Sequence, residues 1–297
     1  MFTTLVAVIV ALVLGHVAAP AMASLRRFGW YARWLDWLGG QLGADGPWGT
    51  RGGIALALLP PVLLVLLLQL ALSGVLYGLL ALLFGIVVLA LAWGPRDLDV
   101  DVEAVLDADD PATRRTRLGL LAPAPGEVVA EGPALPGTIA RTALRRWFAV
   151  LFWFLLLGPV GAVLYRLVER TACGPAATPL PPDNAAGVQW LLRWLEWPVA
   201  QLMTLALALA ANFDLVSRAW RRAGGASGDA SSRFLEAAMR AAVGGELAEE
   251  AEEDRELGRL PLRTDLAELR DAMNLVWRML LLWLVLLALL AIAGWVG

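Results

Sequence analysis

Uncharged apolar runs alternate with arginine-rich polar stretches along the whole chain. The first run, Phe2 to Met22, carries no charge and reads as membrane helix 1 over residues 1–23. Its Ala21-Met22-Ala23 triplet mimics a signal-peptidase site, but no basic residue precedes Arg26, so the run is expected to stay as a helix. Arg26 to Leu38 follows, with Trp30, Trp34 and Trp37 spaced by four and three. That spacing puts the indoles on one helix face, as in a helix lying among lipid headgroups, and Gly39 to Gly53 reads as a glycine-rich turn completing 24–53. Ile54 to Trp93 is a run of 40 residues without a charge. At about 1.5 Å per residue it would reach about 60 Å, twice a hydrocarbon core, so it predicts a membrane hairpin over 54–93. The turn is expected at Ser73-Gly74, between arms Ile54–Leu72 and Val75–Trp93.

Residues 94–144 are polar and read as a cytoplasmic acidic helical segment. Asp97, Asp99, Asp101 and Glu103 alternate, but the sixth position from Asp97 is Val102 and the twelfth Ala108, so a calcium loop fails for want of Gly and Glu. Leu98, Val102, Val105 and Leu106 fit one helix face, and Asp109-Asp110-Pro111 reads as a break and a new N-cap, giving a solvated helical hairpin. Pro123 to Gly137 reads as a loop. Membrane helix 4 is expected over 145–168, anchored by Arg145, Arg146, Trp147 and Phe148 at one end and Tyr165 and Arg166 at the other. Its Gly158-Pro159-Val160-Gly161 step predicts a kink or a close helix contact. Residues 169–197 read as a loop and a second interfacial helix carrying Trp190, Trp194 and Trp197, which runs through Pro198 into 198–216, a membrane or re-entrant helix with Asp214 near its end. In the polar segment 217–262, Ser231 to Ala242 looks helical with Phe234, Ala238 and Ala241 on one side, and Glu246 to Glu256 looks solvated. Residues 263–297 read as an amphipathic helix, with Leu262, Leu266, Leu269 and Met273 in its stripe, running into a last span over Leu275 to Trp295.

The fold class that follows is all-α: a polytopic membrane helix bundle of about six hydrophobic segments, with interfacial amphipathic helices and cytoplasmic helical loops. Composition agrees, since 59% of 297 residues are hydrophobic, 17% are charged and the mean hydropathy is +0.66. With six spans, 20 arginines fall in 24–53, 94–146 and 217–275, against Arg166, Arg170 and Arg193 on the other side. That asymmetry places the three long polar regions in the cytoplasm of a bacterial inner (plasma) membrane protein. The net charge of −3 argues against a nucleic-acid partner, leaving the lipid bilayer and a possible anionic ligand as expected partners, with any protein partner unknown. The chain has no lysine to complete a P-loop. One cysteine, Cys173, excludes an intrachain disulfide, and one histidine, His16, excludes a His-based metal site. No metal or cofactor is expected.

Ala149-Val150-Leu151-Phe152-Trp153, the following Gly-Pro-x-Gly and Tyr165-Arg166 resemble the AmpE-like branch of the CobD/CbiB/AmpE integral membrane protein family. Gly94-Pro95-Arg96-Asp97-Leu98 with the acidic helix after it, and Trp277-Arg278 followed by Leu280, Leu281, Leu282 and Trp283, are similar to the same branch. The resemblance covers most of the chain, strongest over 94–118 and 145–166 and weak over 217–260. It implies an inner-membrane signalling or regulatory modulator tied to cell-wall recycling and β-lactamase induction, with no catalytic residues of its own. The cobalamin-pathway members resemble ligases that join an amino-alcohol phosphate to a corrinoid with ATP, and they carry polar clusters on either side of the shared motif. On this chain those clusters fall on Arg141, Thr142 and Arg145, and on Glu169, Arg170, Thr171 and Ala172. Arginine cannot ligate a cation.

Three readings follow. The first is the non-catalytic modulator. The second is a membrane enzyme using Mg-ATP, with the acidic helix from Asp97 to Glu103 on the metal side. The third is an anion or lipid-headgroup scaffold in which Arg141, Arg145 and Arg146 bind by charge-assisted hydrogen bonds. The candidate ligand-binding residues are therefore Arg96, Asp97, Asp99, Arg141, Arg145, Arg146, Tyr165 and Arg166.

Overall fold

The computed structural model describes residues 29–43, 45–72, 78–94, 96–124, 126–127, 129, 132–174, 180–228, 230–257 and 266–293. All regular structure among them is helical, with no strand. The expectations for helix 1 with His16, for Arg26 and Arg27, for the Ser73-Gly74 turn and for Leu262 and Trp295 lie outside the described residues.

Helix α1 (Gly29–Leu42) carries the tryptophan triplet and runs on through Gly39 and Gly40, further than the glycines suggest. Helix α2 (Ile54–Leu72) contains Pro60 and Pro61. Pro61 has no N–H for the carbonyl of Ala57 four residues back, and the indole Nε1 of Trp34 donates to that oxygen instead, at 3.2 Å. Helix α3 (Leu79–Ala92) is shorter than its expected arm. Then come α4 (Leu98–Leu106) and α5 (Pro111–Leu118), the expected hairpin. Asp110 caps α5, its carboxylate accepting from the Thr113 N–H at 2.8 Å, and that bond holds the carboxyl below its usual range. Arg117 closes the hairpin by donating to the carbonyl of Ala104 at 2.5 Å.

Next in the chain are α6 (Leu135–Ala143), a π turn (Leu144–Phe148), α7 (Ala149–Leu157) and α8 (Pro159–Cys173). Helix α9 (Pro182–Ala210), α10 (Phe213–Arg222), α11 (Arg233–Glu256) and α12 (Ala267–Ile292) complete the order. The chain forms two units, one of 1–97, 149–195 and 290–297, the other of 98–148 and 196–289.

In the first unit, α8 packs along α2, α3 and α7. The stretch expected as one membrane helix over 145–168 is not one helix. Gly158 sits at φ +69°, ψ −154°, a conformation that is essentially glycine's alone, and the chain reverses there. A Cβ on Gly161 would run into the carbonyl oxygen of Trp153. In a continuous helix, residues eight apart stand about 12 Å apart along the axis. The side chain of Gln69 on α2 seats the reversal, its Oε1 accepting from the Val160 N–H at 3.3 Å. The reversal brings α8 back to the end of the unit where α2 begins. There Tyr31 and Thr171 share a hydrogen bond of 2.9 Å, and Asn184 donates to the carbonyl of Trp48 at 2.9 Å. Burial pushes the Tyr31 phenol up to about 12. Tyr31 and Trp48 therefore share one end with Thr171 and Asn184, whereas six spans would put them on opposite faces of a membrane.

In the second unit, α11 packs against α10 and α6 through Phe234, Leu235, Ala238, Met239, Ala242 and Val243. Ala242, not the expected Ala241, lies on the buried side. The Glu-rich stretch Glu246–Glu256 is part of the same helix. The second interfacial helix runs through Pro198 into the apolar residues after it, α9 being one helix of 29 residues. It stops before Asn212, which caps α10 by accepting from the N–H groups of Asp214 and Leu215, and Asp214 is exposed at that helix start. Leu266 has φ +72° and precedes α12, so the buried stripe of α12 starts at Leu269 and continues through Ala272, Met273 and Val276.

Two helices are long and apolar enough to cross a membrane, Ile54–Leu72 and Ala267–Leu290. Most of α2 and the second half of α12 face outward. Leu59, Leu63, Leu64, Leu67 and Leu70 of α2, and Leu281, Val285, Leu286 and Leu289 of α12, are exposed.

Candidate functional site

The π turn Leu144–Phe148 carries Arg145, Arg146, Trp147 and Phe148, just before Ala149 and α7. A π turn widens the helix by one residue, a distortion found often where side chains must be re-aimed for a task. All five of its residues belong to the second unit, and each charged one meets a carboxylate there.

Arg145 donates from Nε to Glu196 Oε1 at 2.7 Å and from Nη1 to the carbonyl of Pro123 at 3.4 Å. Arg146 donates from Nη1 to Asp101 Oδ2 at 2.8 Å and from Nη2 to the carbonyl of Leu120 at 2.5 Å. The carboxylates of both pairs are sealed off, with Asp101 at 1% and Glu196 at 4% side-chain exposure. Arg141, one turn earlier on α6, lies between Glu127 and Glu236, the latter at 3.5 Å. Thr142 donates to the carbonyl of Leu121 at 2.7 Å. Trp147 packs on Trp277 with centroids 5.4 Å apart, and the Trp277 Nε1 donates to Asp99 Oδ1 at 3.1 Å. Phe148 meets the edge of Trp283 at 5.1 Å.

The eight candidate residues therefore divide. Asp99, Arg141, Arg145 and Arg146 lie in the second unit, and Arg96, Asp97, Tyr165 and Arg166 in the first. Within the second unit, Asp99 and Arg141 have different partners: one takes an indole N–H, the other two glutamates. In the first unit, Tyr165 is fully buried and Arg166 is 1% exposed. Arg166 donates from Nε to the carbonyl of Ala92 at 2.6 Å and pairs with Glu169 at 3.1 Å. Arg96 is exposed and Asp97 half-buried.

Sequence reasoning misses the acids. Asp101, Glu127, Glu196 and Glu236 answer the arginines, and none of them is among the eight candidates. Asp101 is within reach of such reasoning, because it lies three residues from Leu98 and four from Val105, on the buried face of α4. Glu196 sits among tryptophans and reads as a solvated charge, though it is buried.

Chemically, these are guanidinium–carboxylate pairs closed on one another. They fix the π turn to α4 and to α9, and breaking one by removing a single partner leaves a buried charge. Among the described residues, no group of three or more His, Cys, Asp or Glu is placed to hold a metal ion. No protein-family model, curated protein or solved structure matches the chain.

Proposed function

We propose that the chain is a multi-pass protein of the bacterial inner membrane, AmpE-like, and that it acts as a non-catalytic modulator in signalling from cell-wall recycling to β-lactamase induction. The observation that supports this reading is the closed pairing of Arg145 with Glu196 and Arg146 with Asp101. The positions where the cobalamin-pathway members carry polar clusters hold, on the near side of the shared motif, arginines engaged in the fold. Lipid contact is supported by the outward leucines of α2 and α12. A regulator needs a stable helical unit that partners can read, and the ion-paired π turn supplies one.

Deleting the gene is expected to shift the induction curve of β-lactam resistance, and re-expressing the intact chain to restore it. An unchanged curve on deletion would overturn the regulatory role. The competing ligase reading has its own measurement: ATP consumption by the purified protein with Mg²⁺, abolished by Asp97→Ala and Asp99→Ala, would replace the modulator with an enzyme.

A further inference from the structure

A groove in the first unit runs between α1 and α2. Trp30, Arg33, Trp34 and Trp37 line one wall, and Pro60, Pro61 and Leu64 the other. Its walls are stiff. Trp34 is held by its hydrogen bond to the Ala57 carbonyl and stacks on Trp37 at 5.2 Å with an interplanar angle of 16°. The facing prolines have fixed φ angles. Below Leu64, the exposed Leu67 and Leu68 continue the apolar surface down α2.

The cation of this groove differs from those of the π turn. Arg33 is exposed, and its Nε donates to the carbonyl of Gly29 at 3.4 Å. No carboxylate among the described residues pairs with it, although Asp36 lies one turn along the same helix. A cation without an acid therefore stands at the mouth of an aromatic cleft that opens onto a strip of leucines. The complementary molecule has a phosphodiester at one end and a hydrocarbon chain at the other.

The geometry points to a binding site for one anionic glycerophospholipid in the groove between α1 and α2. Its phosphodiester accepts from the Arg33 guanidinium. The glycerol region and first methylenes lie between the Trp34–Trp37 stack and Pro60–Pro61, and the acyl chain follows Leu64, Leu67 and Leu68. A free phosphate would use the cation and leave the apolar strip uncovered. This inference rests on the membrane placement proposed above and not on the regulatory role, so failure of the induction test leaves it standing.

The test is native mass spectrometry of the full chain in detergent with equal amounts of phosphatidylglycerol and phosphatidylcholine. The intact protein is expected to retain one phosphatidylglycerol in preference to phosphatidylcholine. Arg33→Gln is expected to weaken that retention about tenfold, the size of one lost hydrogen bond to a charged group. Trp37→Ala should weaken retention of both lipids. Arg218→Gln, at a position that does not line the groove, should change neither. Matched circular dichroism of Arg33→Gln and the intact chain shows that the fold is kept. Equal phosphatidylglycerol retention by Arg33→Gln, or its displacement by equimolar inorganic phosphate, would overturn the site. A benzophenone amino acid at Leu64 adds a second measurement. It should form adducts of phospholipid mass, whereas cross-links to residues 2–22 or to a second copy of the chain would show another occupant and overturn the lipid assignment.

Discussion

Asp101 and Arg146 are 45 positions apart in the chain and meet at 2.8 Å in a site almost closed to water. Each charge is tolerable there because the other is present. Removing the acid alone strips a largely buried guanidinium of this carboxylate, and buried pairs broken in this way lose about 3–5 kcal/mol. Replacing both partners by apolar side chains of similar volume is often neutral. Asp101→Ala is therefore expected to lower the thermal midpoint of the detergent-solubilised protein sharply. Asp101→Leu combined with Arg146→Met is expected to recover most of the loss. Equal midpoints for Asp101→Ala and the intact chain would mean that the pair does not hold the π turn. The periodicity of α4 is readable, since Leu98, Val102 and Val105 are buried as their spacing requires. The burial of Asp101 on the same face is not, because an acid beside three others reads as solvated until its partner is known. Periodicity shows which face a residue occupies and is silent on what lies across from it.

At the scale of the element, the cap at Asp110 and the break before Pro111 are legible because they are local chemistry: a carboxylate, a free N–H three residues on, and a proline that needs no donor. The Gly158-Pro159-Val160-Gly161 step is legible as a disturbance and not as a reversal. The uncharged stretch on either side fits one span as well as it fits two short helices, and what decides is the close approach of α7 to α8. That approach needs glycine twice. Gly158 must hold φ +69° with ψ −154°, and Gly161 must leave room for the Trp153 carbonyl. Gly158→Ala is expected to cost about 1–3 kcal/mol from backbone strain. Gly161→Ala meets backbone that cannot swing aside, so it should be worse. Leu156→Ala, at an exposed position on α7, is the comparison that should stay near the intact chain. Thermal midpoints of the three variants in one detergent check the order. A Gly158→Ala protein as stable as Leu156→Ala would mean that the reversal is not fixed at that residue.

For the whole molecule, on the proposed membrane placement, the reversal changes which face the chain presents. Six spans place Arg166, Arg170 and Arg193 opposite the arginines of 24–53. Within the first unit, however, Thr171 bonds to Tyr31, Asn184 to Trp48, and Gln189 to the Ala172 carbonyl, so those three arginines belong to the end that carries Arg33 and Arg51. On the proposed inner-membrane reading, Arg166, Arg170 and Arg193 then lie on the same side as Arg33 and Arg51. Composition points to a lipid environment, but the number of crossings is not legible, since a hydrophobic run states its length and not whether it turns back. The single cysteine is a natural probe of this point. Cys173 ends α8 and is half-buried, next to the shared end. A membrane-impermeant maleimide is expected to spare Cys173 in intact spheroplasts and to modify it after permeabilisation. If permeabilised protein also stays unmodified, a cysteine placed at Leu180 in a Cys173→Ser background carries the same expectation. Modification of either thiol in intact spheroplasts would put the end of α8, and with it the end that carries Arg33 and Arg51, outside the cell and overturn the cytoplasmic placement of that end.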